Sequence, residues 1–144
     1  MSSTPNKALV ILTCMDARVR PEVFLGLELG DAHVIRNAGG RASDDAIRSI
    51  IISAQLLGTR ECRVIHHTDC GMATFTNEDL RSTLETETGA SATAIDFLPF
   101  SDMEASTRDD AHTIRANPFL PPDFEVTAWV YDVDTGRLER LGDD

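Results

Sequence analysis

The chain has 144 residues, 42% of them hydrophobic, enough for one domain with its own apolar core and too few for two comfortable ones. That share of apolar residues excludes a disordered chain, and a net charge of -11 argues against nucleic acid or an anionic membrane surface as partner, because both would repel it. A single domain over residues 1–144 is expected.

The first residues are polar, and the apolar run over residues 8–12 is too short for a signal-peptide core or a membrane span. Three cysteines are an odd number for a disulfide framework and suit a reducing compartment, so a cytoplasmic protein is expected. Residues 8–13 (ALVILT) read as a strand buried on both faces of a parallel sheet. A short helix follows over residues 21–25, with Pro21 in its first turn. Residues 33–36 form a second strand that runs into Asn37-Ala38-Gly39-Gly40. A helix over residues 44–57 carries Ile47, Ile50, Ile51, Ala54 and Leu57 as an apolar stripe, with Asp44 and Asp45 complementing its positive end and Gly58 closing it.

The third strand covers residues 61–66. Thr76 caps a helix that reaches Glu87 and is closed by Gly89, and residues 89–100 read as loop. Ser101-Asp102-Met103-Glu104 matches a capping box and opens a helix to about Ala116, stopped by Asn117-Pro118. Residues 124–132 alternate as a strand, and Asp134-Thr135-Gly136 turns the chain into a short last strand over residues 137–141. Strands alternating with helices predict an α/β fold: a mostly parallel central sheet of about four parallel strands plus a C-terminal antiparallel strand, flanked by helices.

Sites in such sheets form outside the carboxyl ends of the strands. Cys14-Met15-Asp16-Ala17-Arg18 ends the first strand, Asn37 to Gly40 the second, and His67-Thr68-Asp69-Cys70 the third. Together they supply two thiolates, imidazole and carboxylate. Zinc takes cysteine sulfur and histidine nitrogen in tetrahedral geometry, and three protein ligands with a fourth position free is the pattern of a catalytic site. Adjacent residues of an extended segment face opposite ways, so only one of His66 and His67 meets a metal while the other packs. Cys62 reads as a small core residue, and His33 and His112 as packed or hydrogen-bonded histidines. The glycines at 39 and 40 fit either a strained turn or close backbone approach to a small substrate.

Cys14-x-Asp16-x-Arg18, Arg36-Asn37-Ala38-Gly39 and His67-x-x-Cys70-Gly71, in that order over roughly residues 8–141, resemble the β-class carbonic anhydrases. The resemblance is in particular to their short subgroup that reads His-His-Thr-Asp-Cys-Gly-Met at the second zinc segment and includes carbonyl sulfide and carbon disulfide hydrolases. The resemblance implies one Zn2+ per chain held by Cys14, His67 and Cys70. It places Asp16 either in the fourth zinc position or on Arg18, with these two as catalytic residues, and Asn37, Ala38, Gly39, Gly40 and Gly71 about the substrate. It also implies a homodimer or larger homo-oligomer, although about seven residues before the first strand leave no room for the helical arm that embraces the partner in many members.

The expected reaction is reversible hydration of carbon dioxide to bicarbonate by zinc-bound hydroxide. Zinc lowers the pKa of bound water from 15.7 to about 7 in a histidine-ligated site, and two thiolates should weaken that effect and push activity toward alkaline pH. Hydrolysis of carbonyl sulfide or carbon disulfide at the same site is the alternative. A non-catalytic, zinc-stabilised interaction protein is the alternative from another class.

Overall fold

The computed structural model describes residues 2–142. Five strands make one sheet, in the order β2-β1-β3-β4-β5. β1 (Leu9–Cys14) is buried along its whole length and lies parallel between β2 (Ala32–Asn37) and β3 (Glu61–His67). β4 (Glu125–Tyr131) pairs parallel with β3, and β5 (Leu138–Arg140) closes the edge antiparallel to β4. Four parallel strands and one antiparallel strand are the architecture the sequence pattern predicts.

Side chains alternate across each strand, so neighbouring residues feed two cores. Val10, Leu12, Cys62, Val64, Val126 and Ala128 face α2 (Asp44–Gln55) and α4 (Met103–Arg115), where Ala46, Ile50, Ala54, Ala111 and Ile114 meet them. Leu9, Ile11 and Ile65 face the other way, toward Phe24, Leu25, Trp129 and Tyr131. The short α1 (Pro21–Phe24) carries part of that second cover. α3 (Asn77–Thr88) is held by its ends: Thr76 accepts from the Asp79 N–H, and Gly89 takes the left-handed conformation at φ 75°. Among the described residues, no helix is long and apolar enough to cross a membrane.

Three details differ from the sequence pattern. The N-cap of α4 is Asp102, whose carboxylate accepts from the Ala105 N–H at 3.1 Å, so the capping box opened by Ser101 does not form. β4 does not alternate: Val126, Thr127 and Ala128 are consecutively buried, with Thr127 accepting the Trp129 indole N–H at 2.7 Å on the face away from α4. β3 also runs one residue further, which places His67 within the sheet, opposite Tyr131.

The register positions the site. Thr13 pairs with Ile65 and Cys14 with Asn37, so the carboxyl ends of β1, β2 and β3 finish at nearly the same level.

Candidate metal centre

Cys14 is the last residue of β1 and His67 the last of β3. Beyond His67 the Thr68 N–H donates to the Tyr131 carbonyl at 3.0 Å, and Asp69 adopts a left-handed backbone at φ 54°. That turn carries Cys70 back over the strand ends. One ligand atom each from Cys14, His67 and Cys70 lie within 4.8 Å of one another, and all three residues are buried.

The donor set fits a thiophilic cation such as zinc. His67 Nδ1 lies 2.7 Å from the Thr68 carbonyl, to which it donates, leaving the lone pair on Nε2. Among the described residues, His67 Nε2 is the one buried side-chain nitrogen or oxygen without a hydrogen-bond partner. Burial pulls the imidazole's pKa down, but the neighbouring Cys14 thiolate, the Thr68 carbonyl and Asp16 together outweigh this and hold it above the ordinary value. The Cys14 share is attraction across a gap, since no hydrogen bond joins Nε2 to a sulfur, and it favours positive charge where a cation would sit. Cys14 itself is pulled down to about 4, chiefly by a hydrogen bond with Cys70, against burial and with help from His67 and the backbone at Asp16 and Gly39. The same contact pushes the Cys70 thiol up. A cation bound between the two sulfurs would displace the proton that Cys70 keeps.

Of the two places expected for Asp16, the structure has it on Arg18. Arg18 Nη2 donates to Asp16 Oδ2 at 2.8 Å, while Nε and the Arg18 backbone N–H donate to Oδ1 at 3.1 and 2.8 Å. This pairing outweighs burial and holds the Asp16 carboxyl well below the usual carboxylate range. Oδ2 remains 3.7 Å from His67 Nε2, at the margin of the cluster.

The loop after β2 is tied to both segments. The Gly39 N–H donates to Cys14 Sγ at 3.3 Å. A Cβ on Gly40 would stand 2.9 Å from the Thr13 carbonyl carbon, so only glycine lets this loop lie against β1. Gly39, at φ 88°, faces Met72. Asn37 uses its side chain on Arg41, accepting its N–H at 2.8 Å and donating to its carbonyl at 2.9 Å. Ala38 opens a single 3-10 turn, Ala38–Gly40. At Gly71 an added Cβ would meet nothing within 4 Å, so space alone does not require glycine there.

Four residues the motif reading gave no role complete the surroundings. Arg36 donates to the Cys14 and Asp16 carbonyls at 3.1 and 2.7 Å, fixing the turn after β1. Asp69 accepts from Arg18. Arg41 and Asp110 form a buried bidentate pair at 2.7 and 3.1 Å. His66 Nε2–H points at Asp110 Oδ2 and the Gly40 carbonyl, both at 3.1 Å, and its ring stacks on Phe100. His66 is thus a buried, hydrogen-bonded histidine turned away from the cluster. His33 lies 2.6 Å from Ser53 Oγ, His112 is exposed on α4, and burial pushes the core thiol of Cys62 up to about 12. Arg36 precedes the glycine turn and Asp69 sits inside the His67 to Cys70 segment, so their positions were signals; Arg41 and Asp110 offered none.

The sequence matches a family model described as carbonic anhydrase over residues 9–138. β-Carbonic anhydrase 1 of Mycobacterium tuberculosis is 43% identical over 139 residues, covering 95% of this chain and 83% of the relative. A carbon disulfide hydrolase of Saccharolobus solfataricus is 37% identical over 164 residues, covering 97% and 80%. The crystal structure of carbonic anhydrase from Streptococcus mutans superposes with a TM-score of 0.95 at 46% identity, covering 99% of this chain and 86% of that one.

Proposed function

The chain belongs to the β-carbonic anhydrase family, and from that membership we propose that it catalyses the reversible hydration of carbon dioxide to bicarbonate, with Cys14, His67 and Cys70 holding one Zn2+ per chain. The observation that carries this reading is the buried, unpartnered His67 Nε2 facing two sulfurs within 4.8 Å. Bound zinc would supply Lewis acidity that acidifies a water there, less strongly beside two thiolates than in a histidine-only site.

Other steps fall to the chain's own residues. Asp16, kept ionised by Arg18, presents Oδ2 as a hydrogen-bond acceptor beside the cluster and orients a water molecule toward the substrate carbon. Arg36 fixes the backbone that carries both Cys14 and Asp16. The burial of the three ligands limits bulk water around a small, linear, apolar substrate. Ala38, Gly39 and Gly71 border its approach, while Asn37 and Gly40 shape the turn that holds Gly39 on the Cys14 sulfur.

A second reading, hydrolysis of carbonyl sulfide or carbon disulfide at the same centre, draws on the carbon disulfide hydrolase relative. The shape of the approach, rather than the ligand set, separates the substrates. Side-by-side turnover of carbon dioxide, carbonyl sulfide and carbon disulfide by zinc-loaded protein tests the choice: carbon dioxide should turn over fastest, and the reverse order would install the second reading.

A cytoplasmic homodimer or larger homo-oligomer goes with this function. β2 is an edge strand, and Val34 on it and Leu29 just before it are exposed apolar side chains, the kind of surface that a second copy covers. A monomer by light scattering at micromolar concentration would remove this part of the reading.

A further inference from the structure

Arg18 uses both edges of its guanidinium. One edge grips Asp16. On the other, Nη1 donates to Asp69 Oδ2 and Nη2 to the Asp69 carbonyl, both at 2.9 Å. Asp69 offers both acceptors together because its backbone is left-handed at φ 54°, a conformation that asparagine and aspartate tolerate best among residues with a side chain. Stability does not account for this arrangement. The Arg18 and Asp69 side chains are 46% and 79% exposed, and ion pairs between such groups add little to folding. A strained residue that spends its polar groups on an exposed arginine, one position before a metal ligand, points to function.

The geometry gives that function a direction. Asp16 is tethered to the end of β1, and its Oδ2 stands 3.7 Å from His67 Nε2, close enough to enter the cluster by rotating its side chain. What restrains it is Arg18. An arginine two residues along the same turn would move with Asp16 if nothing else held it. Asp69, at the end of β3, anchors the guanidinium to a different strand.

Resting on the metal reading above, we infer that Asp69 is a positioning residue: it fixes Arg18 as the partner that keeps the Asp16 carboxylate off the Cys14, His67 and Cys70 centre, leaving the fourth metal position to an exogenous ligand. Asp69→Gly isolates the effect, since glycine takes the left-handed backbone without strain and keeps the carbonyl that Nη2 uses. Asp69→Asn keeps an acceptor oxygen for Nη1.

The test uses cobalt(II) in place of zinc and azide as the fourth-position probe, with the visible spectrum of the cobalt reporting occupancy. If Asp16 closes on the metal in nine molecules of ten, Asp69→Gly raises the azide Kd about tenfold, because apparent affinity falls with the open fraction. Asp69→Asn should stay within about threefold of the parent on the same basis. Combining Asp69→Gly with Asp16→Ala should abolish the effect, so that azide affinity no longer depends on residue 69; a general loosening of the turn would persist in that background. Unchanged azide affinity in Asp69→Gly, or a loss that survives Asp16→Ala, overturns the role of Asp69 and leaves the metal reading intact. A parent protein that takes up no cobalt with cysteine-dependent absorption overturns the metal reading and this role with it.

Discussion

Two arginine forks flank the cluster with the same chemistry and opposite exposure. Arg18 grips Asp16 at the mouth, with side chains 46% and 18% exposed; Arg41 grips Asp110 behind the site, at 14% and 7%. Each draws on a left-handed residue that is not glycine: Asp69 feeds Arg18, and the Leu98 carbonyl, at φ 58°, accepts from Arg41 Nη1 at 2.6 Å. The difference lies in what water leaves for each pair to do. Solvent competes for the outer fork, which therefore adds little to folding and leaves its geometry to serve the site. The inner fork excludes water, ties α4 to the loop after β2, and supports the Gly39–Gly40 backbone that meets Cys14 through His66.

The inner fork should be the most expensive to break. Asp110→Ala strands the charge of a buried guanidinium and leaves the His66 Nε2–H with the Gly40 carbonyl alone, with an expected loss of about 3–5 kcal/mol in urea unfolding at unchanged slope. A loss under about 1 kcal/mol would show that this fork is no different in kind from an exposed pair. The outer fork should give the opposite pattern. Asp16→Ala leaves the urea midpoint near the parent's while carbon dioxide hydration falls about 10²-fold or more with zinc retained. Unchanged rates would reduce the outer pair to scaffolding.

Acid separates the forks next. Burial pushes the Asp110 carboxyl up, but hydrogen bonds from His66 and Arg41 prevail and leave it below its ordinary value. Its contribution to stability is therefore complete above the unfolded carboxylate pKa of about 3.9 and is lost as pH falls through the lower folded value. Between those limits Asp110→Asn should flatten the dependence of the urea midpoint on pH. Added salt should leave the inner contribution largely intact, because buried pairs are screened much less than exposed ones. An equal acid slope in parent and variant would remove Asp110 from the account. The smallest effect is a control far from both forks. Cys62, a neutral core thiol, should resist alkylation at pH 8, and Cys62→Ala should cost about 1 kcal/mol with hydration unchanged.

Local features of the chain were legible from its sequence. The apolar runs that became β1 and β3 end where Cys14 and His67 stand, and Thr76 and Gly89 bound α3 as their side-chain and backbone chemistry requires. Strand alternation required that His66 and His67 face opposite ways, but family resemblance was needed to choose His67; the structure turns His66 toward Asp110 and His67 toward the two sulfurs. The inner fork was illegible for a physical reason. Arg41 and Asp110 lie on a loop and a helix far apart in sequence, and an ion pair leaves no periodicity to read. Asp69 was visible inside a motif, yet its role depends on a backbone angle that composition does not encode. Ser101 lost the cap of α4 to Asp102 because both residue types cap well, and local geometry decided between them.

Hydration, as proposed, depends on one metal held by Cys14, His67 and Cys70. Zinc content and stopped-flow carbon dioxide hydration, measured on the same samples of parent and His67→Ala, test it most directly. The parent should carry one zinc per chain and hydrate carbon dioxide rapidly, and the variant should lose both. A parent that carries full zinc and hydrates no carbon dioxide, or a variant that hydrates it without zinc, would overturn the zinc-dependent mechanism.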